Sequence, residues 1–127
     1  MCYKIEIDET YKGFRYVVKL LSMGHRCGYV LIPEDKKDFI DIDDIDCHGG
    51  ITFNDNVEEG EDFLPASGYW IGFDCIHFGD AIDADALKKE FNKDVDECIK
   101  VLLHGHVWSK EEVAAECRNI INQLTEE

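Results

Sequence analysis

Two short stretches of this sequence hold the residue types that do chemistry in proteins. The first is HGGIT at residues 48–52, and the second is GYWIGFDCIHFGD at residues 68–80. Imidazole and carboxylate groups can transfer protons, ligate a transition metal or hydrogen-bond a bound molecule, and an indole ring can stack on a flat ligand. We therefore predict one ligand-binding site from these two stretches. Its residues are His48, Gly49, Gly50, Thr52, Trp70, Asp74, His77 and Asp80.

The two glycines of the HGG stretch support two interpretations. Glycine adopts positive φ freely, so a tight turn that enters a strand explains both residues fully. The same freedom lets a ligand approach the main chain, and neighbouring amides in such a turn can bind an anionic group. The sequence is compatible with either role.

Asp74 is the anomaly of the second stretch, because it lies inside an apolar strand. Alternation places Trp70, Gly72 and Asp74 on one face of that strand. A carboxylate there is costly unless it is paired, so we expect either a structural hydrogen bond from His48 or a pocket wall shared with Trp70. Gly72 would leave a gap beside Trp70 into which a flat group could fit.

Metal binding and catalysis are the competing interpretations of the same residues. If the two histidines and two aspartates converged, they could hold a transition metal or supply the acid and base of a hydrolase. The residues of that hydrolase would be His48, Asp74, His77 and Asp80. Residues 44–55 also match part of an EF-hand calcium loop, but they lack its final glutamate and its following helix. We expect no catalytic residue, no bound metal and no cofactor.

Hydrophobic alternation predicts the strands that position these residues. The first two are expected to form a hairpin through DETYKG, and Pro33 ends the third because proline has no amide hydrogen for the ladder. Residues 34–47 are interpreted as an irregular acidic connection. The predicted strands cover residues 2–7, 14–21, 28–32, 51–53 and 69–78, the last of them central.

Beyond Asp83 the apolar residues change to a helical period. A stripe spaced by three and four residues runs from Leu87 to Leu102, and Gly105 is expected to end this helix. The histidines on either side of that glycine, His104 and His106, are interpreted as capping residues, since positive charge suits a helix C-terminus.

A second helix is predicted from the capping box at residues 109–112, SKEE, in which a serine and a glutamate satisfy each other's free amides. Strands first and helices last imply an α+β fold, in which a mainly antiparallel sheet of about five strands is covered by two C-terminal helices. The chain is expected to form a single domain over residues 1–127, with the sheet in 1–80 and the helical part in 81–127.

The composition favours a folded and strongly acidic protein. Apolar residues make up 45% of the 127, and 28 acidic against 13 basic residues give a formal charge of −15. This charge repels nucleic acid, and the acidic runs at 34–46 and 55–62 are expected to be solvated or to dock on a basic protein. Six cysteines without a CxxC pair indicate reduced thiols. With no signal peptide or membrane-spanning run, a cytoplasmic location is predicted.

Three motifs together resemble a set of short proteins encoded by bacteriophages and prophages. They are GYVLIP at 28–33, CHGGITF at 47–53 and GYWIGFDCIHFGD at 68–80, so the resemblance covers roughly residues 27–80. Small phage accessory proteins commonly act on host factors. The resemblance therefore implies a counter-defence role inside a host bacterial cell, and it brings no catalytic assignment with it.

These features together predict noncatalytic binding. The expected partner is a small nucleotide-like signal or a basic host protein, without direct contact to nucleic acid or membrane, and a homodimer is left open. The alternatives are the hydrolase described above and an acidic inhibitor that mimics DNA.

Overall fold

The first three strands form a continuous antiparallel meander. The computed structural model describes residues 3–58, 60, 64–76, 80–94 and 105–125. Within it the three strands are β1 (Tyr3–Tyr11), β2 (Phe14–Leu21) and β3 (Arg26–Ile32). Lys12 and Gly13 both have positive φ at the first hairpin, as a two-residue turn that matches the strand twist requires. The three strands predicted here are confirmed.

Two later strands complete the sheet. β4 (Phe53–Val57) and β5 (Gly68–Asp74) give the order β1-β2-β3-β5-β4, and all neighbouring pairs are antiparallel. β5 therefore lies between β3 and β4. The acidic connection contains two short 3-10 turns, Glu34–Phe39 and Ile42–Asp44, neither of which has a buried residue.

The two strands next to the candidate site differ from their predicted bounds. The predicted strand at 51–53 is displaced to Phe53–Val57, because the glycine turn occupies the residues before Thr52. β5 ends at Asp74, whose carboxylate accepts the Ile76 amide at 3.2 Å and turns the chain. The prediction of a strand through residue 78 is therefore wrong for Cys75 and Ile76, and residues 77–79 lie outside the described part of the chain.

The first helix is shorter than its apolar stripe indicated. α1 (Ala84–Phe91) begins at Asp83, whose carboxylate caps the first turn, and ends at Asn92, which has a left-handed φ of 52°. A left-handed residue terminates a helix, so the prediction of one helix from Asp83 to Gly105 is wrong. Residues 95–104, which hold the rest of that stripe and His104, lie outside the described residues.

The second helix begins as predicted. In α2 (Lys110–Thr125), Ser109 Oγ accepts the Glu112 amide and Glu112 Oε1 accepts the Ser109 amide, each at 3.1 Å, which confirms the capping box. Just before it, β7 (His106–Val107) pairs in parallel with β6 (Asp80–Ala81). This pairing brings the chain after β5 next to the start of α2.

The sheet buries a different core on each face. α2 covers one face, and Trp70 is fully buried in a smaller core on the other, with Val17, Val57 and Leu64. The buried residues of the larger core include Phe14, Tyr16, Val18, Val30, Ile71, Phe73, Val113, Cys117, Ile120 and Ile121. The predicted α+β class with a five-stranded antiparallel sheet is confirmed. No helix in the described part of the chain has the length and apolar character needed to cross a membrane.

A buried guanidinium joins the sheet to the helical part. Arg26 on β3 is 4% exposed and donates to both carboxylate oxygens of Glu6 on β1, at 2.7 and 3.2 Å. It also donates to Asp83 before α1 and to the Trp108 carbonyl before α2, both at 2.8 Å. Burial alone would lower the pKa of Arg26, but the hydrogen bonds that it donates to the carboxylates of Glu6 and Asp83 raise it above its ordinary value. The guanidinium thus stays charged and holds both helix starts against the sheet.

Replacing Arg26 with Met is expected to reduce the free energy of unfolding by about 3–5 kcal/mol, because it leaves two carboxylates without their buried partner. Urea denaturation measures this loss. The matched control is Arg15→Met, because Arg15 pairs with Asp8 in solvent with roughly a third of each side chain exposed. That control should cost about 0–1 kcal/mol. Equal losses in the two variants would contradict the role of the Arg26 network.

The acid sensitivity of the fold should depend on Asp83. Burial would raise the pKa of Asp83, but hydrogen bonds from Arg26 and from the Ala86 amide lower it below 3.8. A lowered carboxyl pKa stabilises the fold above pH 3.8 and loses that contribution as the pH falls through the folded-state pKa. The stability difference between the unmodified protein and Asp83→Asn should therefore shrink below that pH. Urea titrations at a series of pH values measure it, and a constant difference would refute the assignment.

Candidate functional site

His48 is held by a buried carboxylate. Its Nε2 lies 2.8 Å from Asp80 Oδ2 and 3.1 Å from Asp80 Oδ1, and the Asp80 side chain is only 4% exposed. Asp80 lies on β6, so the pairing of β6 with β7 brings it to this position. The sequence placed His48 and Asp80 in one predicted site, and the structure brings them into direct contact.

Trp108 is the third member of this group. Its indole Nε1 donates to Asp80 Oδ1 at 3.1 Å, and its ring lies 4.3 Å from the His48 ring, centroid to centroid, at an interplanar angle of 32°. The main chain of Trp108 is fixed on one side by the Arg26 hydrogen bond to its carbonyl and on the other by the Ser109 cap. The aromatic pair is therefore positioned by the fold and not only by its own contacts.

His106 extends the aromatic surface. Its ring packs edge-on against Trp108 at 5.4 Å, and its Nε2 lies 2.6 Å from Glu112 Oε2. His106 lies on β7, and the segment that it was predicted to cap, residues 95–104, lies outside the described residues, so its capping role stays a prediction. We refer to His48, Asp80, His106 and Trp108 as the His48 cluster.

The HGG stretch forms the predicted tight turn. Gly49 and Gly50 have φ of 70° and 80°, and the Gly50 amide donates to the Cys47 carbonyl at 3.0 Å. This hydrogen bond uses the Gly50 amide within the turn. A side-chain carbon added at Gly50 would meet no atom within 4 Å, so open space adjoins the main chain there. The turn changes the direction of the chain as predicted, and the space beside it leaves the predicted approach of a ligand sterically open.

Asp74 and Thr52 form a separate polar pair. Thr52 Oγ1 donates to Asp74 Oδ2 at 3.2 Å, and the other carboxylate oxygen accepts the Ile76 amide. These two hydrogen bonds supply the partners that a carboxylate in an apolar strand was expected to need. The structure pairs His48 with Asp80 and Asp74 with Thr52, in place of the expected hydrogen bond between His48 and Asp74.

Trp70 and Gly72 lie where no flat ligand would fit between them. Trp70 is fully buried, and its Nε1 donates to the Ala66 carbonyl at 3.0 Å. A side-chain carbon at Gly72 would lie 2.6 Å from the Tyr29 ring, so Tyr29 occupies the gap predicted beside Trp70. The prediction of a flat pocket there is wrong, because the neighbouring strand β3 supplies a bulky residue opposite Gly72.

The metal hypothesis is tested only in part. Among the residues that the structure describes, no three His, Cys, Asp or Glu side chains are grouped so that they could hold a metal ion. His77, a member of the predicted set, lies outside those residues. The EF-hand alternative is wrong, because the segment after its loop forms strand β4 instead of a helix.

The thiols near the cluster are protonated at neutral pH. Burial, with a smaller effect of Glu116, raises the pKa of Cys47 to about 11. Burial, with the neighbouring Asp80 carboxylate, also raises the pKa of Cys75 far above its ordinary value. A thiol is nucleophilic as its thiolate, so neither cysteine is poised to attack a substrate.

The chain matches no protein-family model, no curated protein and no solved structure.

Sequence reasoning missed Trp108, although a signal for it was present. Trp108 directly precedes the capping serine, and an apolar residue at that position commonly packs against the fourth residue of the helix, here Val113. Both residues belong to the same apolar cluster. The capping box therefore located Trp108 at a fixed point near the start of α2, but only the pairing of β6 with β7 brought it to His48.

The bond between Trp108 and Asp80 can be measured by a double-mutant cycle. Trp108→Phe keeps an aromatic ring but removes the donor to a buried carboxylate, which should lower the free energy of unfolding by about 1–3 kcal/mol. In an Asp80→Asn background the same change should cost less, since the charged acceptor is gone. Urea denaturation of all four proteins measures the coupling, and an equal cost in both backgrounds would show that the bond contributes nothing.

Proposed function

We propose that this protein acts by noncatalytic binding of a small nucleotide-like ligand at the HGG turn and the His48 cluster. The observation that carries the proposal is the placement of Asp80. A carboxylate with 4% of its side chain exposed orients two aromatic rings, His48 and Trp108, at half-buried positions. Buried charge is costly, and here it fixes two aromatic side chains at the edge of the core, where a ligand could reach them.

The groups at this site favour the nucleoside part of such a ligand. Aromatic rings offer stacking for a base, and the open space beside Gly50 lets a sugar approach the main chain of the turn. A phosphate is less well served, because the protein carries a formal charge of −15 and the Gly50 amide is used within its turn. We therefore expect recognition of base and sugar, with the phosphate turned towards solvent.

Noncatalytic binding is favoured because the thiol beside His48 is protonated and therefore a poor nucleophile. The thiol next to His48 in the sequence is that of Cys47, and its pKa of about 11 keeps it protonated. The alternative is a metal-dependent or acid/base hydrolase that would use His48, Asp74, His77 and Asp80. Measuring turnover separates this alternative from noncatalytic binding.

The biological role that we propose is counter-defence. The motifs at 28–33, 47–53 and 68–80 resemble those of short phage and prophage proteins, and two of these stretches contribute to the site. A protein that holds a small signal without destroying it would act by sequestration inside the host bacterial cell. Sequestration requires the protein in amounts comparable to the signal, which suits a small and simply folded chain.

Isothermal titration calorimetry with nucleosides, nucleoside monophosphates and cyclic dinucleotides tests the proposal. At least one of these ligands should bind, and a nucleoside should bind no more weakly than its phosphate. Gly50→Asn should weaken binding by about tenfold or more, because it fills the open space beside the turn while asparagine tolerates positive φ. The matched control is Gly13→Asn, since Gly13 has a φ of 84° with the same open surroundings in the first hairpin.

The outcomes separate the alternatives. Binding that survives Gly13→Asn but not Gly50→Asn supports the site at the HGG turn. The bound nucleotide is also incubated with the protein and divalent cations, and chromatography then shows whether it is intact. Conversion to product would establish the hydrolase instead. Absence of heat with the whole panel would refute a nucleotide-like ligand.

A further inference from the structure

A groove lies between the acidic connection and the end of α2. Its volume is about 290 Å³. We call residues 34–46 the acidic segment. The apolar part of the groove lining is Phe14, Phe39, Ile40, Ile45 and Leu124, and the polar part is Lys36, Asp41, Asp44 and Gln123. None of these residues belongs to the His48 cluster.

Phe39 is the most exposed large apolar residue of the described chain, with 87% of its surface accessible. It ends a 3-10 turn, Glu34–Phe39, that buries none of its own residues. Isolated exposed apolar residues are ordinary, but Phe39 lies beside the apolar groove lined by Ile40 and Leu124. Covering such a ring stabilises a complex by about 1.5–3 kcal/mol, which makes Phe39 a candidate anchor for a partner.

The rim of the groove is strongly acidic. The acidic segment has seven acidic residues and two lysines, so its net charge is 2 − 7 = −5. Both lysines are engaged within the protein: Lys37 Nζ donates to Asn56 at 2.8 Å, and Lys36 Nζ lies 5.2 Å from the centre of the Phe14 ring. The carboxylates therefore dominate the charge that a partner would meet.

The groove is preformed, because its acidic wall is tied to α2. The Asp46 amide donates to Gln123 Oε1 at 2.8 Å, and the Asp46 carbonyl accepts from the side-chain amides of Gln123 and Asn119 at 2.6 and 3.2 Å. Ile45 is buried in the main core directly before it. A preformed wall reduces the entropy that a partner would lose on binding.

We propose that this groove binds a basic segment of a partner protein, with one bulky apolar side chain packed beside Phe39 and lysine or arginine residues against the acidic rim. Its volume lies at the lower limit for small-molecule pockets, and it suits one or two side chains. Charge complementarity selects the occupant. A second copy of this chain is disfavoured, since it would bring the same acidic rim against itself. The inference stands independently of the nucleotide-like ligand.

Selection from a displayed library of short random peptides tests the groove. The library is enriched on the unmodified protein and depleted on Phe39→Ala, a change at an exposed side chain that should leave the fold intact. We expect enriched peptides to combine one large apolar residue with flanking lysine or arginine. Enrichment of acidic or purely polar peptides, or no enrichment at all, would overturn the proposal.

The affinity of a selected peptide then separates anchor from charge. Fluorescence anisotropy should show binding weakened about tenfold or more by Phe39→Ala, and unchanged by Met23→Ala, another exposed apolar residue at 56%. The double change Asp41→Asn with Asp44→Asn should weaken binding most at low salt. The pair Asp55→Asn with Asp94→Asn alters the net charge equally at other sites.

Equal weakening by both double variants would mean a general attraction of basic peptide to the acidic protein, and it would refute a specific groove. Sedimentation of the protein alone gives a second check. A dimer that disappears with Phe39→Ala would make a second copy the occupant and would overturn the assignment of a basic partner.

Discussion

The interaction on which the rest of the structure depends is the buried guanidinium of Arg26. Removing a charge from water is costly, and the cost is offset only when its acceptors arrive together in good geometry. Here they come from Glu6 on the first strand, Asp83 before α1 and the Trp108 carbonyl before α2. Asp83 and Trp108 are distant in the chain, so their shared hydrogen bonds to Arg26 fix where α1 and α2 begin relative to the sheet.

The candidate site is an extension of the same hydrogen-bonded path. From Arg26 the path passes through the main chain of Trp108 to its indole, then to Asp80, and from Asp80 to His48. Each side chain is oriented by the one before it, so few rotamers remain to be ordered when a ligand binds. A stable arrangement of this kind suits the recognition of a small molecule that we propose for this site.

The two proposed surfaces lie at the two ends of α2. Trp108 precedes its first turn, whereas Gln123 and Leu124 belong to its last, and a helix of 16 residues spans about 24 Å. Their chemistry differs accordingly. The first offers aromatic rings held by one buried charge, and the second offers an apolar groove with exposed carboxylates on its rim. One small chain can therefore present a ligand site and a protein-binding site without overlap.

The sequence by itself determined the features that depend on residues close together in the chain. Alternation defined the meander of three strands, the glycine pair defined the HGG turn, and SKEE defined the start of α2, because each depends on contacts within a few residues. The end of the first helix was missed, since an asparagine in a left-handed conformation interrupted an otherwise regular stripe. Only tertiary structure decided the partners of the polar groups. Asp80 meets His48 and Trp108 through strand pairing between segments distant in the chain, and Tyr29 fills the gap at Gly72 from a neighbouring strand, neither of which any spacing along the sequence encodes.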